Sequence, residues 1–249
     1  MSKLPLQTLL LAVGLLAASR TRAETLIFQE GAPLPSSAAY TGTQDTEIRE
    51  VHPTVAFGSQ VSVRTDLDFM GAEAQGLLRF GNLFGALPDR IPPGSTISSA
   101  VLTLEVFNRS NDPVSTISVY QMTTAWSESS TWDSLVAGVQ AGSETVAVAD
   151  DAHTVEVIAS TNFDVLPSLQ AWAGGASNKG WVFLNDGTDA VEFWSSEDLT
   201  LAARPILTVT FTPPEATPAV PALSRSSLVG LLASLTLVGA AAIARRRGP

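Results

Sequence analysis

The chain has 249 residues, 45% of them hydrophobic and 15% charged, with no cysteine, two histidines and a net charge of −10. All 24 acidic residues but only seven of the 14 basic ones lie between Glu24 and Glu215, so this body carries −17, and a surface of that sign does not gather nucleic-acid phosphates. The missing cysteines exclude disulfides, thiolate catalysis, Cys-ligated zinc and iron–sulfur clusters, and two histidines do not make a multi-His metal centre.

In chain order, residues 1–23 come first: Lys3, then the apolar stretch Leu9 to Ala18, then Thr21-Arg22-Ala23. A charged start, a short apolar core and small residues before a cut predict a secretory signal helix cleaved after Ala23. Residues 24–212 form the body. Its periodicity is mostly two: Ala100, Leu102, Leu104 and Val106 share one face, as do Ile117 and Val119, and Leu207, Val209 and Phe211 alternate with threonines. Turn-forming clusters such as Pro88 to Ser95 and Asn185-Asp186-Gly187 separate these runs. Short strands with polar turns predict an all-β fold, a jelly-roll-like antiparallel β-sandwich. One segment departs from it, since Val165, Leu166, Leu169 and Trp172 fall at helical spacing, with Pro167 tolerable in a first turn after a cap at Asp164 and Gly174-Gly175 as a stop. A single short helix covering the open end of the sandwich is expected there.

Residues 213–220 are a proline-rich linker, stiff and extended. Residues 221–249 hold an uncharged run from Leu228 to Ala244 followed by Arg245-Arg246-Arg247, which predicts a short C-terminal transmembrane helix with its basic cluster on the cytoplasmic side. The motif Val220-Pro221-Ala222-Leu223-Ser224, one span and a terminal arginine cluster resemble the tripartite C-terminal sorting signals of Gram-negative bacteria, in the variant named for Ile-Pro-Thr-Leu and related to the Pro-Glu-Pro (PEP-CTERM) tails. This tail has Val-Pro-Ala-Leu in place of Ile-Pro-Thr-Leu. The resemblance implies an exosortase-like processing enzyme as a partner and at least transient anchoring in the membrane.

Within the body, Asp45 to Glu50, Val61 to Arg64, Leu77 to Phe80, Trp126-Ser127-Glu128-Ser129-Ser130-Thr131-Trp132, Ser195-Ser196-Glu197 and Arg204-Pro205-Ile206-Leu207 follow one another in an order that resembles the DNRLRE domain. This is a secreted β-sandwich family of surface proteins, some of whose members bind carbohydrates, including acidic polysaccharides such as alginate. The resemblance supplies no catalytic residue set. It implies a carbohydrate-binding module at the cell surface or in extracellular matrix, and not an enzyme.

Arg49, Arg79 and Trp194 are the candidate ligand-binding residues. Ile48 is expected to point inward, sending Glu47 and Arg49 outward; Arg49 and Arg79, if they share a face on adjacent strands, would fork onto a uronate carboxylate. The alternative is an ordinary salt bridge of Arg49 with Glu47 or Asp66. Trp194, with Phe193 on the opposite face, is the tryptophan expected to reach a ligand, whereas Trp126, Trp132 and Trp172 read first as core plugs. Glu128 and Glu197 read as loop-pinning acceptors, and Arg204 as a partner of one of them. Asp66 with Asp68 and Asp150 with Asp151 are the tight carboxylate pairs; a structural calcium is their second reading and solvated loops the first. No metal, cofactor or catalytic residue is assigned. The sequence thus reads as an exported, surface-retained, non-catalytic module for extracellular polysaccharide, with a purely structural envelope protein and a polysaccharide lyase or hydrolase as the alternatives.

Overall fold

The computed structural model describes residues 22–109, 115–156 and 158–215. Its strands are β1 (Glu24–Phe28), β2 (Thr43–Arg49), β3 (Ser62–Phe69), β4 (Ala72–Phe80), β5 (Thr96–Arg109), β6 (Thr116–Gln121), β7 (Asp151–Thr154), β8 (Ser160–Asp164), β9 (Trp181–Asn185), β10 (Val191–Trp194) and β11 (Ile206–Thr212), with one helix, α1 (Leu166–Ala173). The predicted signal helix, the C-terminal span and most of the linker lie outside the described residues. Among the described residues no helix is long and apolar enough to cross a membrane. β1 begins at Glu24, so cleavage after Ala23 leaves the first strand intact.

Every ladder between these strands is antiparallel. One layer holds β1, β11, the first part of β5, and β8. The other holds β2, β4, β9, β6 and β7. β3 pairs with β4 and with β10, and β10 pairs with the far end of β5, so the layers are two ends of one sheet curled on itself. The expected all-β sandwich is therefore present, closed along one side.

Side chains of alternating parity fill the space between the layers. Leu207, Val209 and Phe211 of β11 and Leu102 and Leu104 of β5 meet Leu78, Phe80, Trp181 and Phe183 from the opposite layer. Rings cross edge-to-face, with Phe183 and Phe193 centroids at 5.2 Å and Phe163 and Phe183 at 6.0 Å, the arrangement that aromatic quadrupoles favour. The helix forms where the spacing predicts it: the Asp164 carboxylate accepts the Leu166 amide at 2.9 Å, Pro167 occupies the first turn, and Leu169 and Trp172 enter this core.

A second apolar cluster lies on the outer face of the β2–β4–β9–β6 layer. Ile48, Leu77, Val182 and Met122 are buried there beneath Trp126, Trp132, Leu135 and Val139 of the long β6–β7 connection. The roof explains the runs Leu77-Leu78 and Trp181-Val182-Phe183, apolar at every position, because a strand covered on both faces need not alternate. Trp126 and Trp132 are core plugs, and the Trp126 indole N–H donates to the Lys179 carbonyl at 2.7 Å. The connection turns back at Val136, Ala137 and Gly138, all with positive φ. At Gly138 a Cβ would stand 2.6 Å from the Trp132 ring, so only glycine lets the indole lie flat under the loop.

Ile48 is thus buried on the outer face rather than inside the sandwich, which corrects the orientation expected for β2. The roof is the reason: once the outer face is covered, the apolar residue belongs there and Glu47 and Arg49 turn to the other side. Glu47 is almost fully buried, ion-paired with Arg49 and accepting the Arg64 amide at 2.6 Å.

Candidate functional site

The register decides where the arginines point. Arg49 of β2 lies opposite Ala74 of β4, whereas Gln44 lies opposite Arg79. Positions 74 and 79 have opposite parity on β4, so Arg49 and Arg79 project from opposite faces of the same pair of strands. They sit on adjacent strands as expected, but they do not converge, and the two-arginine fork onto one carboxylate is not formed. The Arg49 guanidinium is held between Phe57 at 4.1 Å and Phe69 at 4.9 Å, with Arg64 over the other part of Phe69 at 4.7 Å. Arg64 in turn pairs with Glu192 and, at 3.7 Å, with Asp66. Trp194 is half-buried on β10, stacked on Phe107 with centroids 3.9 Å apart and planes 21° apart.

Arg79 has a different setting. It is on the outer face at the margin of the β6–β7 roof, its guanidinium 5.5 Å from the Trp126 ring and hydrogen-bonded through Nη2 to Gln44 Oε1. A guanidinium carries five N–H donors, and among the described residues only Gln44 accepts from this one. Around it opens a polar groove of about 550 Å³, lined also by Glu30, Asn82, Glu128 and Asn178. A second hollow of about 430 Å³, bordered by Gly58, Ser59, Ser127 and Ser129, shares Gln44 and Glu128 with the first, so the two form one trough along the edge of the sheet.

Backbone constraints hold the trough open. The Glu30 carboxylate accepts the amides of Gly42 and Thr43, each at 2.9 Å, and fixes the entry to β2. Asn178 donates to the Phe80 carbonyl at 2.7 Å and accepts the Gly180 amide at 3.0 Å. Glu128 packs directly on Gly58, where a Cβ would come within 2.4 Å of it. No donor among the described residues reaches the Glu128 carboxylate, and burial, then the nearby Glu197 and Glu30, push its pKa up against the pull of Arg79. Glu128 is therefore a free acceptor in the groove and not the loop pin its sequence context suggests.

Behind the groove lies a buried acid pair. Asp45 accepts the Ser196 amide at 2.9 Å, and Glu197 accepts the Ser196 hydroxyl at 3.2 Å while its Oε2 is buried without a partner. Arg204 does not pair with Glu128 or Glu197; it donates to the carbonyls of Asp198 at 2.7 Å and Glu30 at 3.0 Å. Burial, then Glu197 beside it, raises the Asp45 pKa well above the ordinary carboxylate range. A carboxyl whose folded pKa exceeds its unfolded one binds its proton more tightly in the native state, so stability falls as pH rises through that window. Asp45→Asn, which keeps an acceptor for Ser196 and removes the titration, should raise Tm at neutral pH and flatten the Tm-against-pH curve between about pH 4 and pH 8. A variant with the wild-type slope would show that Asp45 does not set it.

Among the described residues no group of three or more His, Asp or Glu is placed to hold a metal ion. The paired aspartates are engaged elsewhere: Asp66 accepts the Asp68 amide at 3.0 Å, Asp150 accepts the Trp181 indole N–H at 3.0 Å, and Asp151 accepts the Asp164 amide at 2.8 Å. The rings of His52 and His153 pack against Phe57 and Phe163. What the groove does offer is one fork of donors, three side-chain amides and two carboxylates, a set suited to the hydroxyl pairs of a sugar ring. Of the sequence candidates, only Arg79 is in it. Gln44, Asn82, Asn178 and Glu30 carry no local motif and meet only when β2, β4 and the connections around them are assembled.

The family model for carbohydrate-binding module family 96 matches residues 36–211, a span that contains nearly the whole sandwich and the groove. No curated protein matches the chain.

Proposed function

The chain belongs to carbohydrate-binding module family 96, and from that premise we propose that it is a non-catalytic module that grips a glycan in the Gln44–Arg79–Glu128 groove. The unused donors of Arg79 facing the unused carboxylate of Glu128 carry this reading. Most polar side chains in the fold are spent on backbone or on each other, and these two are the charged ones in the groove that are not. A shallow trough on a sheet edge suits a chain passing through it. Catalysis would ask for a closed pocket with converging groups.

We place this module outside the cytoplasm, exported by residues 1–23 and held, at least transiently, by the span in residues 221–249, as a DNRLRE-type surface domain contacting extracellular polysaccharide. The full-length chain should be retarded in affinity gels containing a recognised polysaccharide. Flat mobility across neutral and acidic polymers would favour a purely structural envelope role, and release of new sugar ends, lost in Glu128→Gln, would favour an enzyme.

Arg49 and Trp194 are assigned to the scaffold in this reading. Arg49→Ala leaves Glu47 buried without its cation, at a cost of about 2 kcal/mol after discount for the partial exposure of the arginine. Arg49→Ala should therefore lower Tm, and Trp194→Ala should loosen the Phe107 contact, while affinity in both stays within about twofold of the parent. A tenfold loss of binding in either, with Tm unchanged, would move the site away from the groove.

A further inference from the structure

We infer that the groove selects uncharged, hydroxyl-rich glycans and rejects polyanionic ones bearing carboxylate or sulfate groups. This rests on the groove reading above and adds the charge class of the ligand to it.

The argument is an inventory of where each charge is committed. Two carboxylates, Glu30 and Glu128, line the groove against one guanidinium, Arg79. Glu197 and the buried Asp45 stand behind them, close enough that Glu197 raises the pKa of both Asp45 and Glu128. The cations that might redress this balance are spent. Arg49 is paired with Glu47 on the opposite face, and Arg64 with Glu192 and Asp66. Lys179 and Arg204, on the segments flanking the groove, donate to the carbonyls of Thr123, Asp198 and Glu30. Arg90 lies in a neighbouring hollow beside Asp89. An acidic chain entering the groove would meet a local excess of negative charge on a body of −17, with no second arginine to complete a carboxylate clamp.

A neutral glycan meets none of that cost. Its hydroxyls can accept from Arg79, Asn82 and Asn178 and donate to Glu128 and Gln44, and a carboxylate is a strong acceptor for a sugar hydroxyl. The acids that repel a polyanion are, for such a ligand, the best hydrogen-bond acceptors in the trough. The excess of carboxylates over guanidinium thus works as a filter as well as a grip.

The test uses matched polymers that differ only in charge. Full-length protein is titrated with hydroxyethyl cellulose and carboxymethyl cellulose, dextran and carboxymethyl dextran, pullulan and carboxymethyl pullulan, and with alginate and polygalacturonate. Each is measured at about 10 mM and about 500 mM salt, on either side of the regime where screening matters. The expected result is binding to at least one uncharged polymer, at least tenfold weaker binding to its carboxymethylated form at low salt, and a narrower gap at high salt. Glu128→Gln should bring the charged form at least threefold closer to the uncharged one. Tighter binding of any polyanion than of every uncharged polymer, weakened by salt, would overturn the charge selection and leave the glycan reading standing. Failure to bind any of the eight polymers would overturn the glycan reading of the groove, and the selection with it.

Discussion

Arg79→Ala is expected to weaken glycan binding by roughly ten- to hundredfold, the equivalent of about 1.5–3 kcal/mol for hydrogen bonds donated by a charged group. Arg79 brings the one charged donor to the groove, and Gln44 is its only acceptor among the described residues, so a ligand oxygen takes up donors that the protein leaves unused. Arg79→Lys keeps the charge but replaces a planar fork with a single point. It also loses the flat contact over Trp126, so it should recover only part of the affinity. The control is thermal. Arg79 is half-exposed, and truncating it should shift Tm by only about 2–4 °C, the change expected for about 1 kcal/mol in a domain of this size. Isothermal titration beside a melting curve separates the two effects. An Arg79→Ala protein that binds like the parent would place the site elsewhere, whatever its Tm.

The fold was readable because burial in a sandwich writes itself into the sequence at period two. β11 is the clearest case, with Leu207, Val209 and Phe211 inside and threonines outside, and α1 announced itself by a change of period and a proline in its first turn. The second core was harder to read. Ile48, Leu77 and Val182 are buried from outside by a connection that contributes only a few apolar residues, Trp126, Trp132, Leu135 and Val139, at no regular spacing. Without that roof, alternation turns Ile48 into the sandwich and exposes Glu47 and Arg49, the reverse of the observed arrangement. The same hidden layer decided the site. Arg79 is legible as a rare cation, but its separation from Arg49 depends on a strand register, Gln44 opposite Arg79, that no local motif encodes. Asn178 and Glu128 reach the groove from connections roughly 50 residues apart, and nothing in either segment announces the other.

Trp181→Ala should be the most damaging single truncation in the domain, costing about 4–5 kcal/mol, the upper part of the range for emptying a buried aromatic site. Trp181 is fully buried in the inter-layer core, with Trp172 at 4.9 Å and Phe80 at 6.5 Å, centroid to centroid. Its backbone pairs with Leu78 on one side and Gln121 on the other, so the strands around it cannot move in to fill the space without breaking ladders. Its indole N–H is shared between Asp150 and Ser168, each at 3.0 Å. Trp181→Phe separates packing from hydrogen bonding: the ring is largely kept, the donor is lost, and the expected cost falls to about 1–2 kcal/mol. That smaller cost carries a pH signature. Burial already raises the Asp150 pKa, and the bonds from Ser168 and Trp181 hold it down. Removing one donor raises it further and penalises the ionised form alone, so the gap between parent and Trp181→Phe should narrow as pH falls and Asp150 takes up its proton. Urea unfolding of the parent and both variants at two pH values checks both statements. Equal losses in the two variants would show that the hydrogen bond, and not the ring, is what Trp181 contributes. A gap that widens at low pH would mean that Asp150 is not the group whose charge the indole supports.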